Sequence, residues 1–174
     1  MVVIEEIKRS EDEPESYVHE LHLENRWKDH PLGKPIIGTR ESVASFKQEH
    51  IREYMSRRYR GENVFLSIAG NVDPAEVVRW AEQYLDAIQP GGDNPTLTKP
   101  SGSKGELVYN KPVEQVHFCI GGDACENTSP DIYTLRVLDG VLGSGMSSRL
   151  FQEIREKRGL AYSVGSYSMS YSSG

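Results

Sequence analysis

The chain has 174 residues, 37% of them hydrophobic and 26% charged, with 20 Lys and Arg set against 26 Asp and Glu for a formal net charge of −6. That is enough apolar material for a core and excludes a disordered polar tail, and the interspersed charges exclude the basic face with which a nucleic-acid binder displaces counterions. No apolar run approaches the ~18 residues of a membrane-spanning helix, and no basic segment followed by an apolar core opens the chain as a signal peptide does. The expected compartment is therefore the cytoplasm if residue 1 is the native start, since a targeting segment could be lost with any missing part. Two cysteines, Cys119 and Cys125, have no Cys-x-x-Cys or Cys/His finger spacing and are expected to be reduced thiols.

Apolar Val2, Val3, Ile4 and Ile7 among acidic residues predict an amphipathic helix over residues 2–11. Pro14 interrupts it and, flanked by Glu13 and Glu15, predicts the start of a second helix with the stripe Tyr17, Val18, Leu21 and Trp27. Two prolines and two glycines make residues 30–39 a loop. Spacings of three and four then predict one helix from Glu41 to Tyr59.

The period changes at Asn63–Gly70, a short apolar run closed by Gly-Asn that predicts a buried strand. Asp73, Pro74 and Glu76 supply a cap, a first-turn proline and a first-turn acid for a helix through Leu85. Residues 89–105, rich in proline and glycine, are the expected linker. Beyond it, residues 106–110 and 113–121 are expected as strands and Ser129 to Leu142 as a helix. Ser147 to Arg158 is expected as a helix stopped by a left-handed Gly159, and the alternating Ala161 to Tyr171 as a strand. The fold class expected is α+β.

Several side chains invite chemistry. Glu5 and Glu6 are adjacent and on a helix point about 100° apart, so one of them at most faces a given site; taken alone, both are solvated carboxylates. His19 and His22 share a helical face at i,i+3, but position 21 is Leu where an inverted zinc helix needs Glu. Arg149, Glu153 and Lys157 form i,i+4 charge pairs, and Arg155 reads as another exposed partner. Gly143-Ser144-Gly145 is a helix-to-helix turn calling for positive φ rather than a nucleotide loop. Trp27 and Trp80 lie on apolar stripes and read as core.

The paired glutamates Glu5-Glu6, the Asp29-His30-Pro31-Leu32-Gly33 and Gly38-Thr39 turns, Ala69-Gly70-Asn71 and the block from Arg155 to Tyr162 together resemble the insulinase/pitrilysin-like zinc metallopeptidases. The likeness is greatest to the bacterial processing-protease-like members, whose mitochondrial relatives cleave presequences, and it covers nearly the whole chain. It implies an interior fragment, because the family's His-x-x-Glu-His motif lies upstream of the first matching segment.

On the resemblance, residues 1–88 are the C-terminal half of a zinc-binding domain. Residues 89–105 are the linker, and 106–174 are the front half of a related second domain. Both domains are α/β, with mixed, largely antiparallel sheets flanked by helices, and face each other as a clamshell. Glu6 matches the third zinc ligand, while Arg155 and Tyr162 match an Arg and a Tyr that hydrogen-bond the peptide substrate and help stabilise its oxyanion. The implied cofactor is zinc, incomplete in this chain, and the implied partners are a peptide substrate and a second copy or family subunit. The chain alone is expected to be catalytically silent. Two alternatives stand beside this: a non-catalytic substrate-binding or assembly subunit of the same family, and a small metal-binding domain using His19 and His22.

Overall fold

The computed structural model describes residues 2–92 and 98–171. In chain order the helices are α1 (Val2–Asp12), α2 (Pro14–Arg26), α3 (Arg40–Ser45), α4 (Gln48–Arg58), α5 (Pro74–Leu85) and α6 (Ile132–Leu142). Short 3-10 turns occupy Pro31–Gly33 and Gly61–Asn63, and a π-helical stretch Phe151–Glu156. One compact unit comprises the described residues of Met1–Gly38 and Leu97–Gly174, the other those of Thr39–Thr96. Residues 93–97 of the expected linker, Leu97 among them, lie outside the described residues.

In the first unit, α1 and α2 are separated by extended Glu13 (φ −107, ψ 90) ahead of Pro14, whose missing N–H costs nothing in a first turn. Ile7 is buried between the acidic residues of α1, and Ser10 Oγ donates to Glu20 Oε1 of α2 at 2.6 Å. Helix α2 is the hub on which extended chain is laid. Arg26, its side chain 12% exposed, pairs with Asp123 and donates to the Ser103 carbonyl at 2.6 Å. Tyr17 meets Tyr109 edge-on at 5.6 Å, His19 meets Tyr167 at 5.5 Å and Trp27 meets Tyr171 at 5.5 Å.

In the second unit the helix expected from Glu41 to Tyr59 is two helices, broken at extended Phe46 and Lys47. Local side chains compete with helix continuation there. Thr39 and Ser42 close a reciprocal capping box on α3, and His50 Nδ1 accepts from the Lys47 amide at 3.3 Å to cap α4. Helix α5 begins as its residues dictate, with Asp73 Oδ1 accepting from the Ala75 amide at 2.7 Å and the Glu76 amide at 3.4 Å.

The α+β expectation does not hold. Among the described residues there is no strand and no sheet, neither at 63–70, 106–110 and 113–121 nor at 161–171; the chain is helical with extended connections. A strand exists only through a hydrogen-bonded ladder with another strand. Of these segments, 161–171 instead lays its alternation on a helix: Tyr167 and Tyr171 share one face and reach His19 of α2 and Trp27 just past its end. The match is metric, since four extended residues advance about 13 Å and eight helical residues about 12 Å. The other extended segments stay largely open, with Phe65, Val116 and Ile120 exposed at 91%, 91% and 88%.

Candidate functional site

Arg155 and Tyr162 are seven residues apart in sequence and are brought together by the geometry of one helix end. The lead-in is anchored at Ser148, 2% exposed, whose carbonyl accepts from the Gln152 amide at 3.0 Å. The next turn is one residue wide of α-helical: the Lys157 amide reaches back five residues to the Gln152 carbonyl at 3.0 Å. Gly159 then takes φ 59, a conformation that costs other residues roughly 1–2 kcal/mol. Its amide donates to the Arg155 carbonyl at 3.1 Å and the Leu160 amide to the Ile154 carbonyl at 3.0 Å, closing the left-handed cap. The left-handed cap expected at Gly159 is present, and the reversal brings Tyr162 back over Arg155.

The Arg155 Cζ lies 4.7 Å from the centroid of the Tyr162 ring and 4.8 Å from that of Phe151, over both. Such contacts contribute about 0.5–1 kcal/mol each at partly exposed sites. The nearest carboxylate, Glu156, is 3.9 Å from Arg155 Nε, too far for a hydrogen bond. Glu153 is already engaged, its carboxyl held below the usual range by the hydrogen bond and charge of Lys157 at 2.5 Å, with Arg158 at 3.8 Å adding to it. Tyr162 is 81% exposed. A guanidinium held only by a loose ion pair beside an exposed phenol is an arrangement that binds carbonyl or carboxylate oxygens.

Phe151 was missed by sequence reasoning. Its signal was present in the i,i+4 spacing to Arg155, hidden behind the charge pattern of Arg149, Glu153 and Lys157 on the same helix.

Glu6 stands on α1 with its side chain exposed, as does Glu5, while the next residue, Ile7, carries that helix's packing. The structure pairs Arg155 with Tyr162, and among the described residues no hydrogen bond or ion pair joins Glu6 to either. His19 and His22 are taken up in packing. His19 Nδ1 is hydrogen-bonded to Tyr167 Oη at 2.9 Å, and burial, then the Arg26 and His19 charges, hold the His22 imidazole below its usual range. Cys119 and Cys125 are free thiols, with burial pushing the Cys119 thiol up. Gly143-Ser144-Gly145 makes the expected turn, with positive φ at Gly145 (103°). At Gly143 the need is space, because a Cβ there would collide with the Ser166 backbone.

Residues 45–174 match the family model described as "Peptidase M16 inactive domain". A Bacillus subtilis protein named "Uncharacterized zinc protease YmxG" is 42% identical over 170 residues, covering 98% of this chain and 41% of that protein. A Rickettsia bellii protein named "Uncharacterized zinc protease" is 38% identical over 171 residues, covering 98% and 41%. The chain thus spans about two fifths of the length of these relatives. Among solved structures, a peptidase M16 inactive domain from Pseudomonas fluorescens superposes with TM-score 0.75 at 18% identity, over 97% of this chain and 42% of that one. A Helicobacter pylori protease superposes with TM-score 0.71 at 19% identity, over 99% and 43%. At those identities the likeness speaks to fold alone.

Zinc, present in the relatives' names, finds no fitting donor set among the described residues. Among the described residues no three His, Cys, Asp or Glu side chains gather to hold a metal, whereas a zinc centre takes at least three protein ligands. Nor is any described helix long and apolar enough to cross a membrane.

Proposed function

The chain belongs to the peptidase M16 family, and from that premise we propose that it is the peptide-binding portion of a zinc-dependent endopeptidase acting on unfolded peptides or presequences. The observation that carries this reading is the pair Arg155 and Tyr162, held 4.7 Å apart with the phenol exposed. The guanidinium offers donors in a fixed fork and the phenol one more, suited to successive carbonyl oxygens of an extended peptide. Glu6 adds one carboxylate to a zinc centre whose other ligands come from outside this chain. Pairing with a second copy or a related subunit belongs to the same proposal.

A second reading, a non-catalytic substrate-binding or assembly subunit, is favoured by the description of the matching family model as an inactive domain. Both readings place peptide binding at Arg155 and Tyr162 and differ over whether the whole protein holds zinc. Stoichiometric zinc in the full-length protein, lost in Glu6→Ala, separates them in favour of the enzyme.

The test of the shared part is fluorescence anisotropy of a labelled unfolded peptide titrated with this chain. Arg155→Ala is expected to weaken binding about tenfold, the worth of a charge-assisted hydrogen bond, with no chelator-sensitive hydrolysis by the chain itself. Wild-type affinity in Arg155→Ala overturns the peptide-binding reading, and chelator-sensitive turnover by the isolated chain overturns its division of labour.

A further inference from the structure

We infer that Phe151 is a positioning residue for Arg155: its ring holds the guanidinium in place so that the donor edges meet peptide oxygens without first being ordered. The inference rests on the peptide-binding reading of Arg155 and goes beyond it in assigning a role to a residue that touches no substrate. Three observations converge. Arg155 Cζ lies over the Phe151 ring at 4.8 Å as well as over Tyr162 at 4.7 Å, so one long, flexible side chain is fixed on two aromatic surfaces. The neighbouring carboxylates hold it only weakly: Glu153 is taken up by Lys157 and Arg158, and Glu156 makes a loose ion pair at 3.9 Å without a hydrogen bond. The backbone at both ends of the Phe151–Glu156 stretch is tied down as well, by the Phe151 amide to Ser148 Oγ at 3.4 Å and by the Gly159 amide to the Arg155 carbonyl at 3.1 Å.

A guanidinium resting on aromatic faces keeps its donors in its own plane and loses less rotamer freedom when it binds. Pre-ordering of this kind raises affinity by lowering the cost of ordering rather than by adding a contact. Tyr162 cannot supply this alone if its hydroxyl is also to serve the peptide, because it lies in the open chain beyond the glycine reversal while Phe151 is fixed within the helix.

The experiment uses Phe151→Met, which conserves volume and removes the ring, and Phe151→Tyr, which keeps it. Two readouts are taken: the Arg155 Nε–Hε resonance in a 15N correlation spectrum, and the affinity for the labelled unfolded peptide. The wild-type resonance is expected to be ring-shifted. Phe151→Met should move it toward the free arginine position and weaken peptide binding three- to tenfold at unchanged far-UV circular dichroism; Phe151→Tyr should restore both. An unmoved resonance in Phe151→Met overturns the positioning role, as does equal loss of affinity in Met and Tyr variants. If Phe151→Met fails to fold, Phe151→Tyr and Phe151→Trp must still keep the ring shift and affinity, and their loss overturns the inference. The two proposals fail separately: an Arg155→Ala variant that binds peptide normally removes the peptide-binding reading, while the resonance still reports whether Phe151 fixes the guanidinium.

Discussion

At the scale of single residues, α2 shows how one side chain can belong to packing rather than to chemistry. His22 lies beside Arg26 and near Gly121, where an added Cβ would come within 2.5 Å of its Nε2. Burial, then Arg26 and His19, disfavour its protonated form in the folded chain. The unfolded chain therefore binds a proton that the folded chain resists, and stability is expected to fall as the pH drops through the ordinary histidine range near 6.5. Urea midpoints measured between pH 7.5 and 5.5 should decline, and His22→Gln should flatten that decline. A wild-type profile as flat as the variant's would contradict the assignment. Because Arg26 contributes to the effect while holding Ser103 and Asp123, the titration reports the packing of extended chain on α2 and not a metal site.

At the scale of elements, helices whose start signals are local were legible and pairings whose partners are distant were not. The clearest case is α5, where Asp73 caps two amides ahead of Pro74. Asp73→Ala is expected to destabilise the second unit by about 1 kcal/mol, read as faster amide exchange at Ala75 and Glu76; unchanged exchange would show that the cap is idle. Pro14 and Gly159 were equally readable, one forbidding continuation of α1 and the other marking a left-handed cap. The break at Phe46 and Lys47 was not, because the spacing of Val43, Phe46 and His50 fits one continuous helix and the competing caps act through side-chain geometry that spacing does not express. The alternation of residues 161–171 was read as a strand, and the described residues form none there, although Tyr167 and Tyr171 do share one face. Alternation states which face is apolar and says nothing of what covers it, and here the cover is α2 in place of a neighbouring strand. For the candidate site, the Arg155 and Tyr162 pair came from resemblance, and the structure adds that the two touch. Phe151 could have been found from spacing alone, had the charges around it not offered a sufficient explanation.

At the scale of the whole molecule, the surface is the dominant fact. Many large apolar side chains among the described residues are open to solvent, Phe65 and Val116 at 91% among them. Large apolar side chains account for much of what is open: among the described residues, buried hydrophobic side chains are confined to Ile7 and Ile132. Exposed apolar area on this scale is normally covered by further protein, and the relatives are more than twice as long as the part this chain matches. If that surface is bare in the isolated chain, it should bind the dye ANS strongly and unfold in urea over a broad transition, since the slope follows the area newly exposed. The full-length Bacillus subtilis relative, measured beside it, should bind far less dye per residue and unfold more steeply. Val116→Lys, on a 91% exposed position, should lower dye binding by the isolated chain without lowering its stability. Weak dye binding together with a steep transition in the isolated chain would mean that these apolar faces find cover within the 174 residues after all, and the extended segments would then have to pair with one another in solution.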